Sequence, residues 1–205
     1  RAVLASGEWP ARNADQNIAD LKAQIASCAR GIQELEKMVD HFSIATVQAY
    51  MGHVQDNAEE CVRRVIDVLS DGHFRYSLDD GSAVEVTISI DKAARSARLD
   101  FTGTSGVHPG NFNAPSAICK AAVLYVFRTL VCDDIPLNAG CLKPLEIVLP
   151  EGCMLRPVYP AAVVAGNVET SQFVTDCLYG ALGVQAAAQG DEVRITGKKR
   201  DDLQA

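Results

Sequence analysis

Two stretches of this chain carry apolar residues at alternating steps of four and three, a spacing that only a helix turns into a continuous stripe. The first runs Leu21, Ile25, Cys28, Ile32, Leu35, Val39 and Phe42; the second runs Val47, Met51, Val54, Ala58, Cys61, Val65 and Val68 or Leu69. Asn13 is placed to cap the first helix, with Gln16 three residues on, where its side chain returns the bond in a capping box. Ser43 is expected near the start of the second helix, and Asp71-Gly72 is expected to stop it. The short link predicts an antiparallel helical hairpin whose stripes pack on each other or on a neighbour. Such a segment is scaffold rather than chemistry.

After Asp79-Asp80-Gly81 the period changes to two. Val84, Val86, Ile88 and Ile90 share one face and Glu85, Thr87 and Ser89 the other, which predicts a half-buried strand. Ala97, Leu99 and Phe101 then alternate with Arg98, Asp100 and Thr102 as an antiparallel partner. Residues 103–113 hold too many glycines and small polar groups for regular structure and read as a loop. Asn113-Ala114-Pro115 reads as a helix start with Asn113 as the cap, and the nearly uniform apolar run Ala117 to Val131 predicts a helix buried on most of its surface. Leu145, Ile147 and Leu149 suggest a further strand, as does the short apolar stretch Ala161 to Ala165. A last helix is expected from Glu169 or Thr170 to about Ala188, capped by Thr170 or Ser171. The fold class is therefore α+β, an N-terminal antiparallel helical hairpin followed by a mixed sheet with packed helices. Its expected parts are the hairpin at 13–72, an α+β core at 73–190 and a polar tail at 191–205.

Composition narrows the functional classes. With 48% hydrophobic and 22% charged residues the chain can bury a sizeable core, and a net charge of −7 repels a phosphate backbone, so nucleic acid is not an expected partner. No run reaches the roughly 18 apolar residues of a membrane span. A cytoplasmic protein with no membrane partner is expected, and Lys198-Lys199-Arg200 reads as a solvated cluster in the tail. The seven cysteines include no C-x-x-C pair, which suits reduced, mostly buried thiols better than a zinc knuckle on Cys132, Cys141 and Cys153. The histidines, His41, His53, His73 and His108, lie in separate segments with no metal-type pair, so no metal ligand is assigned. No Gly-x-Ser-x-Gly elbow occurs either.

Three polar loops remain. In the first, Asp100 to Asn113, glycines let backbone N–H groups converge on an anion beside a helix start, although a plain tight loop accounts for the same residues. The second, Ile135 to Cys141, offers Asn138 and Gly140, ordinary turn residues by type. The third, Ala165 to Ser171, places an amide, a carboxylate and two hydroxyls at the start of a helix, where some serve as capping groups.

Taken together and in order, Asp100-Phe101-Thr102-Gly103-Thr104-Ser105, Asn113-Ala114-Pro115, Ile135-Pro136-Leu137-Asn138-Ala139-Gly140 and Pro160 to Ser171 closely resemble the hydantoinase B/oxoprolinase family. Asp15 to Leu21 and Tyr50-Met51 are similar too, so the resemblance spans roughly 13–188. It implies part of an ATP-dependent cyclic-amide hydrolase of the 5-oxoprolinase or N-methylhydantoinase type. In such enzymes a hydantoinase A-type partner uses ATP and a divalent metal to phosphorylate a carbonyl oxygen before the lactam or hydantoin ring opens. Related ketone carboxylases, which act on acetone or acetophenone, are the alternative within enzymes, and a non-catalytic assembly module is the alternative outside them. On this resemblance Asn113, Asn138, Asn167 and Glu169 are the candidate catalytic residues. Asp100, Thr102, Thr104, Ser105, Asn111, Thr170 and Ser171 are candidates for binding substrate, as donors and acceptors around a small oxyanion. The chain, which opens at Arg1, is expected to be an internal piece that carries no cofactor, joins an oligomer and does not turn over substrate alone.

Overall fold

The computed structural model describes residues 1–8, 10–189 and 192–197. The chain divides into two compact units, Arg1–His53 and Val54–Ala205.

The first unit holds a short α1 (Ala2–Ala5), the long α2 (Ala14–Phe42) and the opening turns of α3 (Ile44–Val68). Both helices expected from the stripes are present. Asn13 caps α2 by accepting from the Gln16 amide at 3.1 Å, but Gln16 does not return the bond: its side chain donates to Asp20 at 2.7 Å. An i,i+4 partner on the helix surface takes it instead. Ser43, at φ 71°, ends α2, and its hydroxyl accepts from the Thr46 amide at 3.4 Å. No residue of α2 is buried, and its seam stays open to solvent, with Ile25 69% and Ile32 57% exposed.

The second unit is built on a four-stranded sheet in the order β1-β2-β3-β4. β1 (Gly72–Ser77), β2 (Ala83–Asp91) and β3 (Ser96–Asp100) form an antiparallel meander. β4 (Leu145–Val148) returns parallel to β3, with Leu145 opposite Ala97 and Val148 opposite Asp100. β1 was not expected, since Gly72 reads as a helix stop. Its signal is the alternation of Phe74, Tyr76 and Leu78 with His73, Arg75 and Ser77.

The inner face of the sheet carries Val84, Val86, Ile88, Ala97, Leu99 and Phe101, all buried. They join one core with α4 (Ser116–Leu130), α5 (Ser171–Ala181) and the Ala58, Cys61, Val62 and Ile66 side of α3. Truncating Leu99 to alanine there costs about 2–5 kcal/mol. The β2–β3 turn is tied to α3 by two cations: Lys92 donates to the carbonyls of Ile66, Asp67 and Leu69 at the helix C-terminus, and Arg95 pairs with Glu60 and Asp67. Five of the seven cysteines are buried. The Cys177 thiol donates to the carbonyls of Phe74 and Val84, fastening α5 to β1 and β2, and burial pushes its pKa up to about 12.

Three expectations are corrected. Asn113 does not cap α4; Pro115 occupies that position and the Asn113 side chain turns away into the loop. α4 is buried or half-buried over most of its length, as expected, and keeps one exposed face with Ala117, Ala121 and Tyr125. Residues 161–165 form no strand, since their polar groups meet another loop rather than a ladder: Ala165 N–H donates to Asn111 O, and Ala162 O accepts from Asn113. The last helix ends at Ala181 rather than near Ala188, because Gly183 at φ 66° breaks it, and β5 (Val184–Gln189) follows, paired antiparallel with β6 (Glu192–Gly197). The cluster Lys198-Lys199-Arg200 lies outside the described residues. No helix among the described residues is long and apolar enough to cross a membrane.

Gly72 is required for close approach: a Cβ there would lie 1.9 Å from the Ala181 carbonyl oxygen. Gly72→Ala is expected to destabilise the chain by about 2–3 kcal/mol in urea unfolding. Gly52→Ala, in α3 with nothing within 4 Å, should instead stabilise it by about 0.5–1 kcal/mol.

Candidate functional site

The loop leaving β3 is held to the sheet by its own hydroxyls. Thr104 Oγ1 accepts from the Glu85 amide and donates to the Glu85 carbonyl, both at 3.1 Å, and Ser105 Oγ accepts from the Ala83 amide at 2.9 Å. Gly103 sits at φ 103°, and a Cβ would strike the Glu85 carboxylate at 2.7 Å. The pKa of that carboxylate is lowered because it bonds His73 and Arg75. Asp100 is likewise lowered, first by its bond with Thr102 and then, against the cost of burial, by Arg98.

Further on, the loop closes around one buried side chain. Asn113 is fully buried; its Oδ1 accepts from the His108 amide at 2.7 Å, and its Nδ2 donates to the carbonyls of His108, Gly110 and Ala162 at 2.9, 3.2 and 3.0 Å. The last bond crosses to the loop before α5. Thr170 Oγ1 donates to Phe112 O and the Ala165 amide to Asn111 O, completing the seam between the two loops. Gly166 fits against Asn113 because a Cβ would come 2.4 Å from the Asn113 carbonyl oxygen. His108 braces the outer side. Its Nδ1 accepts from the Gly110 amide at 2.9 Å, so in the neutral ring the proton sits on Nε2, which faces Asp80 at 2.5 Å. Asp80 is held at about 2, below the ordinary 3.8, by Ser82 first and His108 next.

A turn of π-helix, Gly166–Thr170, leads into α5, so the helical segment starts earlier than expected and neither Thr170 nor Ser171 caps it with its side chain. Its consequence is a stripe. Asn167, Ser171, Thr175 and Tyr179 stand four apart and line a groove of about 630 Å³ opposite Ile118 and Tyr125 of α4. The Ser171 hydroxyl donates to Asn167 O and the Thr175 hydroxyl to Ser171 O, both at 2.9 Å. With their protons so committed, the hydroxyls face the groove as acceptors. Asn167 is exposed, and its amide makes no hydrogen bond among the described residues. Asp176 also lines the groove; the residue is exposed, and partial desolvation of its carboxyl raises its pKa. Tyr179 closes the floor, its hydroxyl 2.9 Å from Thr129 Oγ1. A second cavity holds Arg63, Arg98 and Lys143, but Glu59, Asp56, Asp100 and Glu146 already pair with these cations.

The structure thus gathers most of the candidates beyond the C-terminal end of β3. Asn111 and Asn113 join the loop seam; Asn167 and Ser171 reach the groove; Thr102, Thr104 and Ser105 lie along the strand exit. Glu169 is exposed on the π-turn and is not among the groove-lining residues. Asn138 is elsewhere: it caps the short 3-10 turn Ala139–Leu142 by accepting from the Gly140 amide at 2.8 Å, in the segment entering β4. Leu145 pairs with Ala97, so this segment lies at the opposite end of β3 from Asp100. Thr175, Asp176, Tyr125 and Tyr179 were missed. The polar recurrence at 167, 171, 175 and 179 was readable as one helix face, but what faced it was not. Among the described residues no three His, Cys, Asp or Glu side chains are grouped to hold a metal, and no step is assigned to one.

The chain belongs to the hydantoinase B/oxoprolinase family, whose profile matches residues 1–204. It is 43% identical over 195 residues to 5-oxoprolinase 1 of Arabidopsis thaliana, covering 87% of this chain, and 42% identical over 195 residues to the 5-oxoprolinase of Saccharomyces cerevisiae, covering 90%. It spans only 15% of the length of either relative. Among solved structures, the ATP-dependent caprolactamase of Pseudomonas jessenii shares the fold with a TM-score of 0.69 at 18% identity, over 90% of this chain and 34% of that one. An acetone carboxylase matches with a TM-score of 0.65 at 17% identity, over 81% and 24%.

Removing the Asn113 side chain leaves a buried N–H and three carbonyls without their partner. Asn113→Ala is expected to cost about 3–4 kcal/mol in urea unfolding, and Asn113→Asp more, since it sets a carboxylate oxygen against those carbonyls. Asp80 contributes stability above its ordinary pKa of 3.8, and that contribution is lost as pH falls towards about 2. The urea midpoint of the wild type should therefore converge on that of Asp80→Asn between pH 4 and pH 2, while the two stay apart at pH 6.

Proposed function

We propose that this chain supplies the lactam-binding wall of an ATP-dependent cyclic-amide hydrolase, with the α4–α5 groove as the substrate subsite. The observation that carries this is the polar stripe of Asn167, Ser171 and Thr175 facing the apolar side of α4. A cyclic amide presents a carbonyl acceptor, an N–H donor and a ring of methylenes. The Asn167 carboxamide N–H₂ suits the carbonyl oxygen, and the proton-committed hydroxyls of Ser171 and Thr175 suit the ring N–H. Ile118 and Tyr125 suit the methylenes. As negative charge develops on the carbonyl oxygen, the Asn167 donor stabilises it. Asp176, on the groove lining and raised by partial desolvation, is placed to exchange a proton with the ring nitrogen as it leaves. Asn113 and Thr170 hold Asn167 in register by locking the two loops, and Glu169 lies on the same turn as a second candidate carboxylate.

In this reading ATP and its metal are handled by a hydantoinase A-type subunit or domain, and the chain does not act alone. The family relationship and the names of the relatives support it: both oxoprolinases and the caprolactamase are named for cyclic amides.

In the complete enzyme with its A-type partner, Asn167→Ala is expected to lower kcat about 10²-fold. Thr175→Val should raise KM for 5-oxoproline or a hydantoin with a smaller change in kcat, and Asn138→Ala should leave kcat unchanged. Ring opening and phosphate release without bicarbonate support the hydrolase. Absolute dependence on bicarbonate and a ketone would replace it with a carboxylase, and a kcat/KM within twofold of wild type for both groove variants would remove the groove from the chemistry.

A further inference from the structure

We propose that the exposed seam of α2 is a self-association surface that pairs antiparallel with α2 of a second copy of this chain. The seam is strict: Ile18, Leu21, Ile25, Cys28, Ile32, Leu35, Val39 and Phe42 keep the four-three rhythm of a left-handed coiled coil along a helix about 43 Å long. None of these residues is buried within the chain. The outward face is polar and already satisfied, with Arg30 and Lys37 both paired to Glu34.

The sequence of the seam is its own complement when reversed. In an antiparallel pair Ile18 faces Phe42 of the second copy, Leu21 faces Val39, Ile25 faces Leu35 and Cys28 faces Ile32, so no apolar residue overhangs. The flanking positions decide the orientation. Antiparallel pairing sets Lys22 against Glu36 twice, related by the two-fold axis, and brings Ala29 against Ala29 and Gly31 against Gly31, where small side chains let the helices approach. Lys22 and Glu36 form no ion pair among the described residues, so both are available. Parallel pairing would set Gln24 against Ala29 and Gly31 against Glu36, with no opposite charges meeting.

The test is sedimentation velocity of the full 205-residue chain at low salt, with charge variants that leave the seam intact. The wild type is expected to sediment as a dimer. Lys22→Glu or Glu36→Lys, each of which makes two like-charge contacts, should weaken the dimer at least tenfold, and the double variant Lys22→Glu/Glu36→Lys should restore it. Ala29→Cys should give a disulfide-linked dimer under oxidation. A monomeric wild type, which would mean that another segment or subunit covers the seam, overturns the proposal. So does a dimer indifferent to the single charge changes, or one that the double variant fails to restore.

Discussion

One buried amide organises the end of this fold that lies beyond β3. Asn113 has no solvent exposure and spends every polar position on backbone groups of two loops that are far apart in sequence, from His108 to Ala162. In a low-dielectric setting such a network is either complete or very costly, and here it is complete: no buried side-chain polar atom among the described residues lacks a partner. A hydrophobic residue of similar size would fill the space but leave several backbone groups unpaired. The amide is therefore specified by the loops rather than by the helix that follows it.

The position of the groove follows from that closure. α4 begins just after Asn113 and α5 just after the π-turn that packs Gly166 against it, so the two helices leave a common junction. Their further ends are joined by the Thr129–Tyr179 bond, and Cys177 anchors α5 to the sheet below. The groove is thus framed at both ends by buried or half-buried contacts, and its polar stripe is presented by a helix that has little freedom to rotate. Framing of this kind fixes the direction in which the donors and acceptors of the stripe point into the groove.

The N-terminal helices follow a different economy. α2 satisfies its backbone within the helix and its caps at Asn13 and Ser43, but it spends almost none of its apolar seam inside the chain. A helix of this length with a strict seam is not stabilised by propensity alone. Its apolar face has an energetic role only when something covers it. The contrast with α3, whose Ala58, Cys61, Val62 and Ile66 enter the core, shows that equal periodicity can have opposite fates.

Local rules settled much of this protein in advance. The heptad steps marked both long helices, the change to period two marked β2 and β3, and the four polar motifs marked the family and most of the residues that gather beyond β3. What local rules could not reach were the contacts that compete with them. Asn113 is a good cap by residue type, yet carbonyls from a distant loop outbid the helix for its side chain. Residues 161–165 look like a strand, yet their polar groups bond to Asn111 and Asn113 of another loop, and Asn138 carries the same chemistry as Asn167 but lies at the other end of β3. Periodicity reports which face of an element is apolar, because that depends only on the chain's own geometry. Which face meets which, and so where a groove opens, depends on long-range packing and was decided only in the tertiary structure.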